Sequence, residues 1–254
     1  MQIKQNQFSR TELLIGEPAL EKLKNSTVVI FGLGGVGSFS FEALIRGGIG
    51  NLILVDDDTI CLTNLNRQIH ANHDTIGRPK VDVLKERALK INPNCKVETY
   101  QTFVKEDNID EIIPIDTSYV IDAIDTVSSK IALIVWCKEH NIDIISCMGT
   151  GNKLDPTKFK ISDIYSTKIC PLAKVMRHEL RKRNIESLKV LYSEEIPLTP
   201  KHDVITCKEG CVCSGGSKKC LAKRQIPGSI SFVPPAAGMI IGGEVIKDII
   251  KAHD

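Results

Sequence analysis

The chain has 254 residues, of which 42% are hydrophobic and 25% charged, and a formal net charge of +2. That suits one large folded domain, or one domain with an appended piece. It excludes a disordered chain, and charge alone does not argue for a polyanion partner. The nine cysteines are an odd number, and the start "MQIKQNQFSR" has no apolar run. The expectation is free thiols or metal ligands in the reducing cytoplasm, with neither a disulfide framework nor a secretory signal.

In chain order, Val28-Val29-Ile30-Phe31 is an apolar, mostly β-branched run stopped by Gly32, which predicts a buried strand. Ser38 to Arg46 predicts a helix ended by Gly47-Gly48, and Leu52 to Val55 a second buried strand. This βαβ unit implies parallel strands with a right-handed crossover. Pro79 to Lys90 predicts a helix with proline in its first turn. Strands follow at Val97 to Phe103, Tyr119 to Ile121 and Ile142 to Cys147, with a helix at Ser129 to His140. The alternation predicts an α/β fold built on a doubly wound, Rossmann-like, mostly parallel sheet.

Beyond Gly151 the texture changes. Lys158 to Tyr165 predicts an exposed strand, Pro171 to Asn184 a basic helix, and Val233 to Lys251 a closing helix. Between them, 194–228 is rich in Pro, Gly, Ser, Lys and Cys and predicts a long loop or lid. The layout is a nucleotide-binding core over 1–151 and a C-terminal extension over 152–254. In the closing helix, Ala236 to Ile250 is interrupted by Gly242, Gly243, Glu244, Lys247 and Asp248, so no membrane span is expected.

Gly32, Gly34 and Gly37 have the G-x-G-x-x-G spacing between a strand and a helix. The first permits the tight turn, the second lets backbone approach phosphate, and the third lets helix pack on strand. Asp56, at the end of the second strand, stands where an acid can take ribose hydroxyls. The competing reading is a tight turn with no ligand. NAD is the default nucleotide, but three features argue for a triphosphate. The cluster Asp56-Asp57-Asp58 is denser than a ribose needs and suits Mg²⁺. "NLNRQ" brings Asn64, Arg67 and Gln68 to the same crevice. "GRPK" puts Arg78 and Lys80 at a helix start, where the dipole disfavours cations unless an anion is bound. The alternative for "GRPK" is a solvated helix start paired with surface acids.

The strings "GLGGVGS", "LVDDDTICLTNLNRQ", "GRPK" and "DAIDTVSSK" occur in an order and at spacings that resemble the E1-like adenylating superfamily, over Phe8 to Gly151. The resemblance implies ATP and Mg²⁺ in the crevice and adenylation of a carboxylate. It implies nucleotide contacts from Gly32, Gly34, Gly37, Asp56 and Asp58. Asn64, Arg67 and Lys80 match phosphate-contacting positions, and Asp125 matches the acid beside magnesium. Arg10, in "FSRTELLIGE", matches an arginine that reaches a phosphate, often across a homodimer. A narrower similarity, in "NRQIHANHDTIGRPK", "SYVIDAIDTVSSKIALI", "DPTKFKISDI", "PLAKVMRHELRKR" and "KRQIPGSISFVPPAAGMIIGGEVIKD", is to the tRNA threonylcarbamoyladenosine dehydratase branch. It implies ATP-driven cyclisation of that nucleoside beside the anticodon, with a threonylcarbamoylated tRNA as partner. Activation of a sulfur-carrier protein for thiamine or molybdopterin synthesis is the nearest alternative. An NAD-dependent oxidoreductase and an idle nucleotide-binding scaffold lie further off. A monovalent cation and a sulfur-transfer protein partner stay open.

Two features remain. Cys207, Cys211, Cys213 and Cys220 give C-x₃-C-x-C-x₆-C. This is not the paired C-x₂-C of a zinc ribbon, so a thiol-rich lid is preferred over a zinc site. "KVMRHELRKR" carries Arg177, Arg181 and Lys182. Lys168, Lys174 and Lys189, and Lys218, Lys219, Lys223 and Arg224 further on, add to it; charge alone reads equally as a solvated helix face, and the resemblance to the dehydratase branch implies a tRNA-phosphate surface.

Overall fold

The computed structural model describes residues 5–201 and 227–251. Two N-terminal helices, α1 (Ser9–Ile15) and α2 (Glu17–Asn25), precede β1 (Thr27–Phe31), α3 (Gly37–Gly47), β2 (Asn51–Val55), α4 (Lys80–Ile91) and β3 (Lys96–Tyr100). A single turn α5 (Ile109–Ile112) leads to β4 (Tyr119–Asp122), α6 (Val127–Glu139) and β5 (Ile144–Cys147). Then come β6 (Phe159–Asp163), α7 (Pro171–Arg181), β7 (Lys189–Ser193) and α8 (Val233–Lys251).

The seven strands form one sheet in the order β3-β2-β1-β4-β5-β7-β6. All neighbours are parallel except β6, which runs antiparallel to β7 at the edge. The direction of winding reverses between β1 and β4, and in such sheets ligands bind at the carboxyl ends of the strands at that switch point. The inner strands are apolar at nearly every position because both faces are covered. Val28 and Ile30 face α3, α4 and α8, whereas Val29 and Phe31 face α5, α6 and α7.

The pattern reading placed most elements and missed some. β7 was not anticipated, because Val190-Leu191-Tyr192 lies between charged "ESLK" and a proline-containing stretch. Its pairing with β5 and β6 comes from tertiary context. β3 stops at Tyr100, short of Phe103, and α7 stops at Arg181, short of Asn184. The strand expected to be exposed is the edge strand β6, with Phe159 buried. Segments 194–201 and 227–232 carry no regular element. Cys207, Cys211, Cys213, Cys220, Lys218, Lys219, Lys223 and Arg224 lie outside the described residues. Among the described residues, no helix is long and apolar enough to cross a membrane.

α8 lies close along α3. A Cβ at Gly238 would stand 2.3 Å from the Val36 carbonyl oxygen and 2.9 Å from Ser40 N, so only glycine allows this approach. The Ser40 hydroxyl also donates to the Gly238 carbonyl across the contact (3.1 Å). On the other side of α3, buried Glu42 accepts from Arg46 (2.6 Å) and twice from Arg87 of α4 (2.7 and 2.8 Å). The start of α3, where the glycine loop ends, is therefore held between α8 and α4.

Gly238→Ala is predicted to cost about 1–3 kcal/mol by overpacking. Gly243→Ala, which meets nothing within 4 Å among the described residues, should be neutral or stabilising by up to ~1 kcal/mol. Urea unfolding of both variants checks the pair.

Candidate active site

The glycine loop follows β1 and passes directly into α3. Gly32 adopts φ +85°, and a Cβ there would lie 2.6 Å from the Ala123 carbonyl oxygen. The turn therefore rests on the chain leaving β4. Gly37 is as tightly confined, with a Cβ position 1.8 Å from the Gly32 oxygen. Gly34 differs: the nearest protein atom to its Cβ position is Gln68 Nε2, at 3.8 Å. Among the described residues, no packing requires glycine at this position.

Asp56 follows β2 and reaches under the loop. Its Oδ2 accepts from Leu33 N (2.6 Å), and its Oδ1 accepts from Asp58 N (2.8 Å). Lys80, the first residue of α4 and nearly fully buried, places Nζ 2.9 Å from Asp58 Oδ2 and 3.4 Å from Asp56 Oδ1. Burial opposes the charge on Lys80, but Asp56 and Asp58 outweigh it and hold the ammonium above its ordinary range. Burial pushes the Asp56 carboxyl up, and Lys80 pulls it only partly back.

The "GRPK" cations thus have protein partners, as the alternative of pairing with nearby acids expects, whereas the preferred reading looked to a bound anion. Lys80 has two carboxylates, and Arg78 pairs with Glu86 of α4. The plainer reading holds for Arg78.

Residues 61–68 form a tight turn beside the loop. Asn64 Oδ1 accepts from Cys61 N (3.0 Å), and Arg67 Nη1 donates to the Thr63 carbonyl (2.9 Å) and Asn66 Oδ1 (2.8 Å). The Arg67 stem lies 3.3 Å from the Cβ position of Gly35. Asp125 is exposed on the loop after β4 and accepts from the Thr126 hydroxyl (3.3 Å). Direct contacts thus join Gly32, Gly34, Gly37, Asp56, Asp58 and Lys80 with the Asn64–Gln68 turn at the switch point, and Asp125 follows the β4 backbone on which Gly32 rests.

Arg10 does not join them. Neighbouring Phe8 packs against Gly48, past the far end of α3, an axial rise of about 16 Å for the eleven residues of α3. The basic helix is also more engaged than its sequence suggests. Arg177 donates to the Thr167 carbonyl (3.2 Å) and hydroxyl, Arg181 lies 5.0 Å over the Tyr165 ring, and Lys182 pairs with Glu179 (2.8 Å). Lys189 pairs with Asp248 (2.7 Å) and Glu244 (3.2 Å) of α8, which makes it part of the fold's own ion pairs.

Beside Gln68, which the sequence already brings to the crevice, sequence reasoning passed over His70, Ser38 and a buried ion pair. Gln68, His70 and Ser38 are buried with side-chain polar atoms that have no partner among the described residues: Gln68 Oε1, Ser38 Oγ and both ring nitrogens of His70. Asp122 and Lys130 form an ion pair (2.9 Å) with both side chains fully buried. A lysine in the otherwise apolar "KIALIVWC", eight positions after an aspartate, was the available signal.

The ThiF family model matches residues 8–253. The chain belongs to the ThiF family. Within that family it is similar to the tRNA threonylcarbamoyladenosine dehydratase of Bacillus subtilis (strain 168), at 45% identity over 97% of this chain and 95% of that one. The protein of the same name from Escherichia coli (strain K12) is 35% identical over 96% of this chain and 93% of that one. A crystal structure of the E. coli dehydratase in complex with ATP superposes with a TM-score of 0.83, at 32% identity, covering 97% of this chain and 94% of that one.

Burial, together with nearby Lys80 and Arg87, pushes the His70 imidazole down to about 3. The unfolded chain therefore takes up a proton near pH 6.5 that the folded chain refuses. His70 should cost stability as pH falls from 6.5 towards about 3, by roughly 1.4 kcal/mol per pH unit, with no contribution above that window. His70→Gln should flatten the stability–pH curve by that slope within the window. An unchanged slope would mean that the folded imidazole protonates freely.

Proposed function

We propose that this chain is an ATP-dependent tRNA threonylcarbamoyladenosine dehydratase that adenylates the threonyl carboxylate and lets the substrate close its own ring. The observation that supports it best is the site at the β1/β4 switch point. There an open Gly34, a ribose-side acid and a buried lysine converge in a chain whose full-length relatives carry that name.

A carboxylate does not expel oxide at neutral pH, so it is first made a leaving group. One carboxylate oxygen attacks the α-phosphorus of ATP, pyrophosphate departs, and an acyl-adenylate forms. The carbamoyl group of the same substrate then attacks the acyl carbon. AMP leaves with the original carboxylate oxygen, and the net result is loss of water. The nucleophile is tethered to its target, so proximity lowers the barrier and no enzyme nucleophile is needed.

In this reading the glycine-loop backbone at Gly34 approaches the phosphates and Asp56 takes the ribose hydroxyls. Asn64, Arg67 and Lys80 meet phosphate oxygens. Lys80 keeps buried Asp56 and can exchange half-exposed Asp58 for phosphate, because a solvated partner is the easier one to give up. The donor set fits Mg²⁺, a hard cation that takes oxygen ligands: Asp125 offers an exposed carboxylate one residue past the Ala123–Ile124 backbone on which Gly32 rests, and the Asp56, Asp57 and Asp58 carboxylates lie within 4.8 Å of one another. When bound, Mg²⁺ neutralises charge on the transferring phosphates. Arg177, Arg181 and Lys182 contribute backbone contacts to tRNA.

A homodimer accounts for Arg10. α1 exposes Leu13 and Leu14 at 87% and 85% beside it, an apolar pair that a second copy would cover while carrying Arg10 toward the other nucleotide. Activation of a sulfur carrier shares the adenylation chemistry, but the similarity to dehydratases spans nearly the whole chain, α7 and α8 included.

The decisive experiment incubates the purified protein with threonylcarbamoylated tRNA, ATP and Mg²⁺ and weighs the nucleosides. The expected product is lighter than threonylcarbamoyladenosine by one water, with AMP and pyrophosphate released. Unchanged nucleoside, together with adenylation of a Gly-Gly-ended carrier protein, would favour the alternative. For the dimer, mixing Arg10→Ala with Asp125→Ala chains should restore activity lost in each alone, to roughly a quarter of wild type for random mixing with one working site per hybrid. Hybrids as inactive as the parents would place Arg10 outside the site.

A further inference from the structure

We propose that Asp122 and Lys130 are positioning residues that lock the Ala123–Ile124 backbone, the common seat of the glycine turn and of Asp125. The inference rests on the reading of Asp125 as the metal-binding acid.

Asp122 closes β4 and Lys130 lies in the first turns of α6, both fully buried. The pair does more than neutralise itself. Ile124 N donates to Asp122 Oδ1 (3.1 Å), and Lys130 Nζ donates to the Ile124 carbonyl (3.1 Å) as well as to Asp122 Oδ2 (2.9 Å). Ser146 of β5 donates its hydroxyl to Asp122 Oδ2 (2.6 Å) and ties the carboxylate to the neighbouring strand. Both polar groups of Ile124 are thereby held by buried charges.

The adjoining Ala123 carbonyl and Ile124 nitrogen are the atoms on which Gly32 rests, 2.6 and 2.9 Å from its Cβ position. Asp125 is the next residue. One rigid peptide thus sets the spacing between the phosphate-facing loop and the metal-side acid. Replacing a buried ion pair by apolar side chains is often neutral or stabilising, so stability alone does not account for it. What an apolar pair cannot supply is directed hydrogen bonds to Ile124.

The test compares wild type, Asp122→Asn/Lys130→Met and Ser146→Ala. ATP–pyrophosphate exchange in the presence of threonylcarbamoylated tRNA is measured alongside amide hydrogen exchange. In the double variant, exchange turnover should fall on the order of tenfold or more, with the KM for ATP changed by less than about threefold. The Mg²⁺ concentration for half-activation should rise. Amides 123–126 should exchange faster while those of α7 keep their protection. Ser146→Ala leaves no buried charge unpaired and should fold normally, with the same signature at roughly two- to fivefold. If the double variant fails to fold, Ser146→Ala decides. Wild-type turnover with unchanged exchange at 123–126 overturns the proposal. So does exchange that rises evenly through the chain, which marks a merely structural pair. Asp125→Asn is run beside them. If it keeps wild-type Mg²⁺ dependence while the pair variants lose turnover and local protection, the metal reading of Asp125 fails and the lock stands.

Discussion

A carboxylate largely closed off from water must be surrounded by donors, and Asp56 collects three: Leu33 N, Asp58 N and Lys80 Nζ. Each comes from a different piece of chain. Leu33 belongs to the glycine loop, Asp58 to the turn leaving β2, and Lys80 to the first turn of α4. One side chain therefore sets where three segments meet, and the mouth of the nucleotide cleft is the space they leave. The elevated affinity of Lys80 for its proton keeps the buried ammonium charged beside Asp56 and Asp58.

The rest of the fold carries this junction. α3 starts at the loop and is clamped by α8 through close glycine contact on one side and by α4 through Glu42 and Arg87 on the other. Across the switch point, β4 ends in Asp122, whose buried pairing with Lys130 holds the next backbone segment. The two halves of the cleft meet where Gly32 rests on Ala123. The opposite end of the molecule bears features of another kind: exposed leucines on α1, and Lys189 tied to Asp248 and Glu244 of α8.

The strands and the loop were legible because their signals are local. Four apolar residues ended by glycine can scarcely be read otherwise, and the spacing of Gly32, Gly34 and Gly37 with Asp56 is a property of one βαβ unit. What was not legible depends on residues distant in the chain. β7 is a strand because β5 and β6 flank it. The partners of Arg78 and Lys80 could not be seen from "GRPK", since one lies a turn or two along α4 and the others beyond the β2 exit. Lys130 carries no local signal of its partner, because the end of β4 meets it only in the folded chain. Arg177 and Arg181 read as free cations because their partners, Thr167 and Tyr165, lie in the short turn between β6 and α7, outside the basic helix's own pattern. Local periodicity reports which face is buried, but not which charges meet.

The central claim is that the threonyl carboxylate, and no other group, accepts the adenylyl moiety. Isotope transfer measures this directly. Threonylcarbamoylated tRNA carrying ¹⁸O in the threonyl carboxylate is turned over with unlabelled ATP, and the released nucleotide and phosphates are weighed. The account predicts one ¹⁸O in AMP and none in pyrophosphate. Label found in inorganic phosphate with ADP as co-product, or AMP free of label, would contradict it.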